Sequence, residues 1–231
     1  MLDPTNRVAL VSGASRGIGR KVVERLLASG FQVSAGLRDT SVLPPHERLH
    51  AQHYDAASAS SATDWVAACV ARFGRLDALV NVAGINTAYQ IEEEDETALD
   101  QLWAINVKGP LRLIRASLPH LRKAGNGRVV NVASLSGKRV RNANAGYAMS
   151  KFALVALTHA VRHAGWDDGI RATALCPGFV ISDMTMKVTK FPRAQMTDPA
   201  DLAELVEMLL LLPATAAIAE LLVNCQHEDM L

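Results

Sequence analysis

Short apolar runs that alternate with longer segments of helical spacing constrain the fold most strongly. Seven runs rich in Val, Leu and Ala predict strands at 7–13, 31–37, 48–54, 76–84, 128–134, 170–178 and 219–225. Strands that are apolar at nearly every position are buried on both faces, and parallel strands need crossover helices. The alternation therefore predicts an α/β fold, with a doubly wound parallel sheet of about seven strands and helices on both faces.

Segments with helical spacing fill the gaps between these runs. They are expected at 17–29, 62–73, 96–123, 147–163 and 199–212. Gly109 and Pro110 interrupt the third segment, and a proline inside a helix removes a backbone donor, so we expect a bend or local irregularity near Asn106. The 231 residues contain no recognisable linker, which predicts a single domain over 1–231.

Charge and cysteine usage exclude several classes of function. The 24 Lys and Arg nearly balance the 23 Asp and Glu, so the long-range positive field of a nucleic-acid binder is missing. The cysteines, three in number and widely spaced, predict neither a disulfide framework nor a metal site. The N-terminal residues lack a signal-peptide pattern, and the apolar run at 208–212 is too short to cross a bilayer. We therefore expect a cytoplasmic protein without membrane or nucleic-acid partners.

A glycine-rich turn follows the first predicted strand. The sequence SGASRGIG at 12–19 leads directly into the first helix. Glycines permit a tight turn and close backbone approach, and the exposed N–H groups at a helix start attract a pyrophosphate. The Gly-x3-Gly-x-Gly spacing differs from the common G-x-G-x-x-G fingerprint, so a purely structural turn stays open from this motif alone.

Several short motifs in this order resemble the short-chain dehydrogenase/reductase family. The family's turn reads T-G-x3-G-x-G, with Ser12 here in place of Thr, and its N-N-A-G segment corresponds to NVAG at 81–84. Further matches follow at Asn106, Ser134, Tyr147, Lys151 and Pro177-Gly178. The resemblance spans almost the whole chain. It implies a Rossmann-like domain that transfers a hydride between NADP(H) or NAD(H) and a small carbonyl or secondary alcohol substrate.

The resemblance assigns catalytic roles to Asn106, Ser134, Tyr147 and Lys151. Tyr147 and Lys151 lie four residues apart, on one helix face, although such pairs are also common on surface helices. A phenol titrates at about pH 10. To act as a general acid and base at neutral pH, Tyr147 needs its pKa lowered by about 3 through the positive charges of Lys151 and of the cofactor ring.

Two further catalytic roles come from the same resemblance. Ser134 donates to the substrate oxygen, with Ser136 as a nearby rival. Asn106 holds the water that links Lys151 to solvent, and a satisfied core asparagine is the alternative.

The family likeness also implies contacts with the cofactor. The expected residues are Gly13, Ser15, Arg16, Gly17, Ile18, Gly19, Arg38, Asp55, Ala56, Asn81, Ala83, Gly84, Tyr147, Lys151, Pro177, Gly178, Val180 and Ser182. A substrate loop is expected at about 183–197, where an apolar lid would consist of Met184, Met186, Val188 and Phe191. The side chains that could line the cleft or equally be solvated are Asn86, Tyr89, Arg139, Arg141 and Asn144.

The end of the second predicted strand bears on the choice of nucleotide. An acidic side chain there would accept from a ribose 2′-OH and repel a 2′-phosphate. Leu37 occupies that position, followed by Arg38, and Arg16 can approach the same place. Forked guanidinium donors suit a phosphate, so NADP(H) is preferred. Asp39 keeps NAD(H) possible, because a shift of one residue would make it the ribose ligand.

Two alternatives to a dehydrogenase or reductase stay open. One is a regulatory or sensor protein of the same fold that binds NADP(H) without turnover, although such proteins usually need neither Tyr147 nor Lys151. The other is an epimerase or dehydratase with a retained nucleotide. Relatives associate through the helices that correspond to 96–123 and 147–163, so a homodimer or homotetramer is expected.

Overall fold

Seven parallel strands form one sheet in the computed structural model, which describes residues 1–186, 188–189 and 191–228. Their bounds are Val8–Ser12 (β1), Gln32–Leu37 (β2), Leu49–His53 (β3), Ala78–Asn81 (β4), Arg128–Val132 (β5), Arg171–Pro177 (β6) and Glu220–Val223 (β7). The strand order is β3-β2-β1-β4-β5-β6-β7, and every neighbouring pair is parallel. The predicted fold class is confirmed, although each strand is shorter than its apolar run.

Helices cover both faces of the sheet. Their bounds are Gly17–Ala28 (α1), Ser61–Phe73 (α2), Thr97–Trp103 (α3), Gly109–Ala124 (α4), Ala145–Gly165 (α5) and Pro199–Leu211 (α6). Ala9 and Val11 of β1 join the core beneath α1 and α6, whereas Val8 and Leu10 join the core beneath α2, α4 and α5. This alternation explains why β1 is apolar throughout: each face meets a layer of helices.

The expected irregularity near Asn106 is confirmed. A π-helical segment, Ala104–Lys108, separates α3 from α4 and contains Asn106. Pro110 falls in the first turn of α4, where its missing N–H group costs little. The expected single segment at 96–123 is thus two helices joined by one wide turn, which re-aims the side chains of the following helix.

The carboxyl ends of β1 and β4 lie side by side at the centre of the sheet. The strand order reverses its direction there, since β2 lies on one side of β1 and β4 on the other. Open α/β sheets bind ligands in the crevice at such a switch point. The Ser12 hydroxyl at the end of β1 accepts hydrogen bonds from the N–H groups of Val82 (3.0 Å) and Ala83 (3.2 Å), which fixes the segment after β4.

Across the described residues, no helix combines the length and the apolar character that a membrane span requires.

Candidate active site

A cavity of about 560 Å³ opens at the carboxyl ends of the strands. It brings together segments that lie far apart in the sequence: the glycine-rich turn, the ends of β2 and β4, the start of α5 and the segment after β6. The residues predicted for the site that line this cavity are Gly13, Ser15, Arg16, Gly17, Ile18, Arg38, Asp55, Ala56, Ala83, Gly84, Ser134, Tyr147, Lys151, Pro177, Gly178, Val180 and Ser182.

The glycine-rich turn leaves open space towards the cavity and none behind it. Gly13 has a φ of +68°, and a Cβ atom there would lie 2.8 Å from the Ala83 nitrogen. A Cβ atom on Gly19 would lie 2.2 Å from the carbonyl oxygen of Gly13. Gly17 meets nothing closer than Ser182, at 3.9 Å. Packing therefore requires glycine at positions 13 and 19, where a Cβ atom would meet backbone atoms. Position 17 faces the cavity, where there is room for the close approach of a phosphate.

Asn106 lies outside the cavity lining and anchors the segment after β4. Its Nδ2 donates to the Ile85 carbonyl and to Ser150 Oγ, both at 3.0 Å, and its Oδ1 accepts from the Ile85 N–H group at 2.9 Å. Both amide hydrogens are used in these bonds. The side chain therefore has no donor left for the water molecule that the resemblance implies.

Asn81 and Gly19, the other predicted residues outside the lining, also have structural contacts. Asn81 Nδ2 donates to Asn131 Oδ1 at 2.8 Å, and Asn131 Nδ2 donates to Thr158 Oγ1 at 2.8 Å. This buried chain of bonds joins β4, β5 and α5. The Asn81 side chain thus faces the helix layer, and the segment after it, with Ala83 and Gly84, lines the cavity instead.

Tyr147 and Lys151 face the cavity from successive turns of α5. The ammonium nitrogen of Lys151 lies 5.7 Å from the centre of the Tyr147 ring and donates to the Val132 carbonyl at 3.0 Å. Asn144 caps the helix by accepting from the Tyr147 N–H group at 3.3 Å. The Val132 bond fixes the ammonium group at the end of β5, and the cap fixes the first turn of α5, which carries the phenol.

Burial dominates the ionisation of this pair. It raises the pKa of Tyr147 to about 12, against a smaller lowering from the Ser134 hydroxyl, and it lowers the pKa of Lys151 to about 8. The sequence led us to expect a lowered pKa for Tyr147. The groups of the chain itself produce the opposite direction, because desolvation penalises the phenolate more than its neighbours stabilise it. A lowered value would require further positive charge beside the phenol.

Ser134 lies two residues beyond the end of β5. Its hydroxyl accepts from the Ser136 N–H group at 3.0 Å and so caps the turn Leu135–Gly137. That bond uses an oxygen lone pair and leaves the hydroxyl hydrogen available to donate. Ser134 lines the cavity, whereas its rival Ser136 is not among the described lining residues.

Of the three residues at the end of β2 that bear on the choice of nucleotide, two line the cavity and the third does not. Leu37 and Arg38 line the cavity, Leu37 being buried and Arg38 exposed. Asp39 accepts from the N–H group of Ser41 at 3.0 Å and from its hydroxyl at 2.6 Å, and these bonds lower its pKa. Its carboxylate thereby caps the turn Thr40–Val42 and is absent from the described lining of the cavity.

The segment after β6 covers one side of the cavity. Arg16 Nη1 of the glycine-rich turn lies 2.8 Å from Asp183 Oδ2 of this cover. Arg193 Nη1 donates to the Ser182 carbonyl at 3.3 Å, and the rings of Phe179 and Phe191 stack with centres 5.6 Å apart.

Only part of the expected lid faces the cavity. Met184 lines it, whereas Met186, Val188 and Phe191 do not appear in its described lining. Lys187 and Lys190 of the expected loop lie outside the described residues. The cleft residues proposed from the sequence, Asn86, Tyr89, Arg139, Arg141 and Asn144, are likewise absent from the described lining.

Sequence reasoning missed several residues of the cavity. Arg193, Asp183 and Ile181 line it from the cover, and Ile85 and Ile105 line it from the other side. None belongs to a spaced motif, so only the position of Asp183 and Arg193 within the expected loop could have suggested them. Among the described residues, no group of three or more His, Cys, Asp or Glu side chains could hold a metal ion.

The sheet, the glycine-rich turn at its switch point and the cavity above them define a dinucleotide-binding Rossmann domain. The family model of the short chain dehydrogenases matches residues 7–193. The chain belongs to this family of oxidoreductases, as the motifs in its sequence predict.

Curated relatives support the same assignment. The chain is 39% identical over 229 residues to an agropine synthesis reductase of Rhizobium rhizogenes, a match that covers 96% of the chain and 53% of the relative. The chain therefore spans about half the length of this relative. It is also 30% identical to an uncharacterised oxidoreductase of Staphylococcus saprophyticus, with 97% of the chain and 99% of that protein covered.

Solved structures share the whole fold. An alcohol dehydrogenase from the archaeon Thermococcus sibiricus, complexed with 5-hydroxy-NADP, matches with a TM-score of 0.87 and 27% identity over 96% of the chain and 99% of that protein. A 3-ketoacyl-(acyl-carrier-protein) reductase from Brucella melitensis, complexed with NADH, matches with a TM-score of 0.86 and 25% identity over 96% and 97%.

Proposed function

We propose that the chain transfers a hydride between NADP(H) and a small carbonyl or alcohol substrate, with NAD(H) as the weaker cofactor. The observation that carries this proposal is that Ser134, Tyr147 and Lys151 line the same cavity as the glycine-rich turn. The bound dinucleotide would supply or accept the hydride. Solved relatives complexed with an NADP derivative and with NADH support a nicotinamide cofactor.

The residues of the chain would bind the cofactor, orient the substrate and transfer the proton. The open face of the glycine-rich turn holds the pyrophosphate at the start of α1. The Ser134 hydroxyl donates to the substrate oxygen as negative charge develops there. Tyr147 gives its proton to that oxygen when the carbonyl is reduced. Burial alone raises the pKa of Tyr147, so efficient proton transfer at neutral pH would require the positive charge of Lys151 and of the bound cofactor beside the phenol.

The preference for NADP(H) rests on two exposed guanidinium groups. Arg16 and Arg38 both line the cavity, and each has forked donors that match phosphate oxygens. The acidic rival, Asp39, is engaged with Ser41. Leu37 offers no acceptor to a ribose hydroxyl. These contacts favour a 2′-phosphate over a free 2′-OH.

The test of turnover is Tyr147→Phe, which removes only the phenolic oxygen. NADPH consumption should be followed by absorbance with aldehydes, ketones, 3-oxoacids and quinones. We expect the variant to lose about 10²- to 10⁴-fold in turnover, while its NADPH binding, measured by fluorescence, stays intact. Full turnover in the variant would contradict the role of Tyr147. NADPH binding without consumption of any carbonyl would favour a sensor protein.

The preference between nucleotides has a separate test. NADPH and NADH are titrated against the wild-type chain, and against Arg38→Gln, at one fixed salt concentration. We expect the wild-type chain to bind NADPH more tightly than NADH. Arg38→Gln should weaken NADPH binding and leave NADH binding unchanged. Equal affinities for the two nucleotides in the wild-type chain would contradict the argument from Arg16 and Arg38.

The quaternary structure that we propose is a homo-oligomer that associates through α4 and α5. Met149 and Phe152 on α5 are 49% and 42% exposed, which is unusual for large apolar side chains in consecutive turns. Light scattering coupled to gel filtration should give twice or four times the mass of 24.8 kDa. A Phe152→Lys variant should shift that mass towards the monomer, and a monomeric wild-type chain would contradict the proposal.

A further inference from the structure

We propose that Asp183 limits the preference of the chain for NADPH by competing with the 2′-phosphate for Arg16. The proposal rests on the proposed preference for NADP(H) and adds a residue that opposes it. Arg16 Nη1 lies 2.8 Å from Asp183 Oδ2, and both side chains line the cavity. Arg16 comes from the glycine-rich turn and Asp183 from the cover, so the pair joins the two sides of the cavity.

Competition follows from the chemistry of the guanidinium group. Arg16 is one of the two cations assigned to the 2′-phosphate, and the N–H group that faces Asp183 cannot serve both anions at once. A phosphate monoester carries a charge of about −1.5 to −2 at neutral pH, so a carboxylate close to Arg16 also repels it directly. NADH presents a neutral 2′-OH, which leaves the pair with Asp183 undisturbed.

The solvent exposure of the pair makes such an exchange possible. The Arg16 side chain is 72% exposed and that of Asp183 is 55% exposed. Water weakens an ion pair of this kind, and a ligand with higher charge and two acceptor oxygens displaces the carboxylate. A buried pair would cost far more to separate. Arg16 can therefore change its partner without disturbing the core.

The cover keeps its shape without the Asp183 carboxylate. Thr185 Oγ1 donates to the Val180 carbonyl at 2.6 Å and accepts from the Ser182 N–H group at 3.1 Å. Arg193 donates to the Ser182 carbonyl from the far end of the cover. Because these bonds involve backbone groups and other side chains, Asp183→Asn changes the charge beside Arg16 and leaves the turn Asp183–Thr185 in place.

The experiment compares dissociation constants for NADPH and NADH, measured by the fluorescence of the bound nucleotide, in the wild-type chain and in Asp183→Asn. We expect the variant to bind NADPH about two- to fivefold more tightly, and NADH with unchanged affinity. The gain should shrink in 0.5 M salt, because exposed charges are screened. Asp167→Asn, an exposed aspartate with the same charge change, is the control and should alter neither affinity.

A double-mutant cycle with Arg16→Gln isolates the pair. Arg16→Gln should weaken NADPH binding, and adding Asp183→Asn to it should tighten NADPH binding by less than it does in the wild-type chain, because only the direct repulsion between carboxylate and phosphate is then removed. Unchanged NADPH affinity in Asp183→Asn would overturn the inference, as would NADPH affinity that does not depend on Arg16. Equal weakening of both nucleotides would also overturn it, because the pair would then act as a strap over either cofactor.

Failure of this inference is distinguishable from failure of the proposed function. Carbonyl-dependent consumption of NADPH that depends on Tyr147 would support hydride transfer whatever Asp183 does. Conversely, the binding constants require no turnover, so the competition can be measured even where no carbonyl substrate is known.

Discussion

The floor and the cover of the cavity are built in different ways. The floor, residues 12–19 and 81–85, is held by buried contacts: the Ser12 hydroxyl accepts two backbone N–H bonds, and Gly13 packs against Ala83. The cover, the described residues of 178–197, keeps its shape through backbone bonds between Phe179, Ile181 and Thr197 and through the stacked rings of Phe179 and Phe191, and the exposed Arg16–Asp183 pair ties it to the floor. The floor permits little movement, whereas the cover has partners that water and ligands can replace.

The floor and the cover therefore suit different functions of the site. Catalysis and phosphate binding need atoms placed within a fraction of an ångström, and close packing around backbone atoms supplies that precision. Selection among substrates and nucleotides needs surfaces that change at little cost in stability. We therefore expect substitutions in the floor to have large effects on stability and binding, and substitutions in the cover to have small effects confined to affinity.

The largest effect should come from Gly19→Ala. The new Cβ atom would lie 2.2 Å from the Gly13 carbonyl oxygen, so the turn or the start of α1 must shift. We expect the free energy of unfolding to fall by about 3 kcal/mol and NADPH binding to weaken beyond detection. Chemical denaturation and fluorescence titration measure the two quantities.

Gly17→Ala is the matched control for this substitution. Gly17 has a φ of +54°, and its Cβ atom would meet only Ser182, at 3.9 Å. Backbone strain alone then lowers the free energy of unfolding by about 1 kcal/mol. Equal losses in the two variants would show that the floor is not limited by packing behind the turn.

Lys151→Met should raise stability while it abolishes turnover. Lys151 is 6% exposed, and burial lowers the pKa of its ammonium group to about 8, so its charge is costly in the folded state. We expect the free energy of unfolding at pH 7 to increase by about 1–3 kcal/mol. A loss of stability would show that the bond to the Val132 carbonyl outweighs desolvation.

The pH dependence of stability gives a sharper form of the same prediction. Between pH 8 and 10.5 the folded chain has released the Lys151 proton, while the unfolded chain still binds it. Folding stability attributable to Lys151 therefore rises with pH across this window. The difference between wild-type and Lys151→Met unfolding free energies should shrink from pH 7 to pH 10. A constant difference would contradict the lowered pKa.

Ser12→Ala tests how the floor is joined to the segment after β4. The substitution leaves the N–H groups of Val82 and Ala83 without their acceptor, and Ser12 itself is 1% exposed. We expect a loss of about 1–2 kcal/mol in unfolding free energy and weaker NADPH binding. Ser12→Thr keeps the hydroxyl and serves as the control, with little change expected in either measurement.

The floor and the Tyr147–Lys151 pair of α5 could be predicted from the sequence because their signals are local. The turn at 12–19 carries its glycine spacing in consecutive residues, and Tyr147 and Lys151 share a face through the period of one helix. Even here, the sequence did not reveal which way side chains face. The Asn81 amide bonds to Asn131 towards the helix layer, and the Asn106 amide bonds to Ile85 of the floor, so both side chains anchor the residues that line the cavity.

The cover could be predicted only as a segment. Asp183 meets Arg16 across 167 positions of sequence, and no period or spacing indicates such a contact between two exposed side chains. The direction of the Tyr147 pKa was likewise beyond the sequence, because it depends on how much of the phenol the assembled fold removes from water. Long-range contacts and burial are properties of the folded chain, and both decide the behaviour of this region.

The smallest effect should come from Phe191→Ala in the cover. Phe191 is half-buried, stacks on Phe179 with an angle of 21° between the rings, and is absent from the described lining of the cavity. We expect less than about 1 kcal/mol of lost stability, and a two- to fivefold higher KM for the carbonyl substrate with kcat nearly unchanged. Phe191→Leu keeps an apolar contact with Phe179, so its stability and KM should lie between those of the wild-type chain and of Phe191→Ala. A large drop in kcat or in unfolding free energy would mean that the cover is as rigid as the floor, and the division between the two regions would fail.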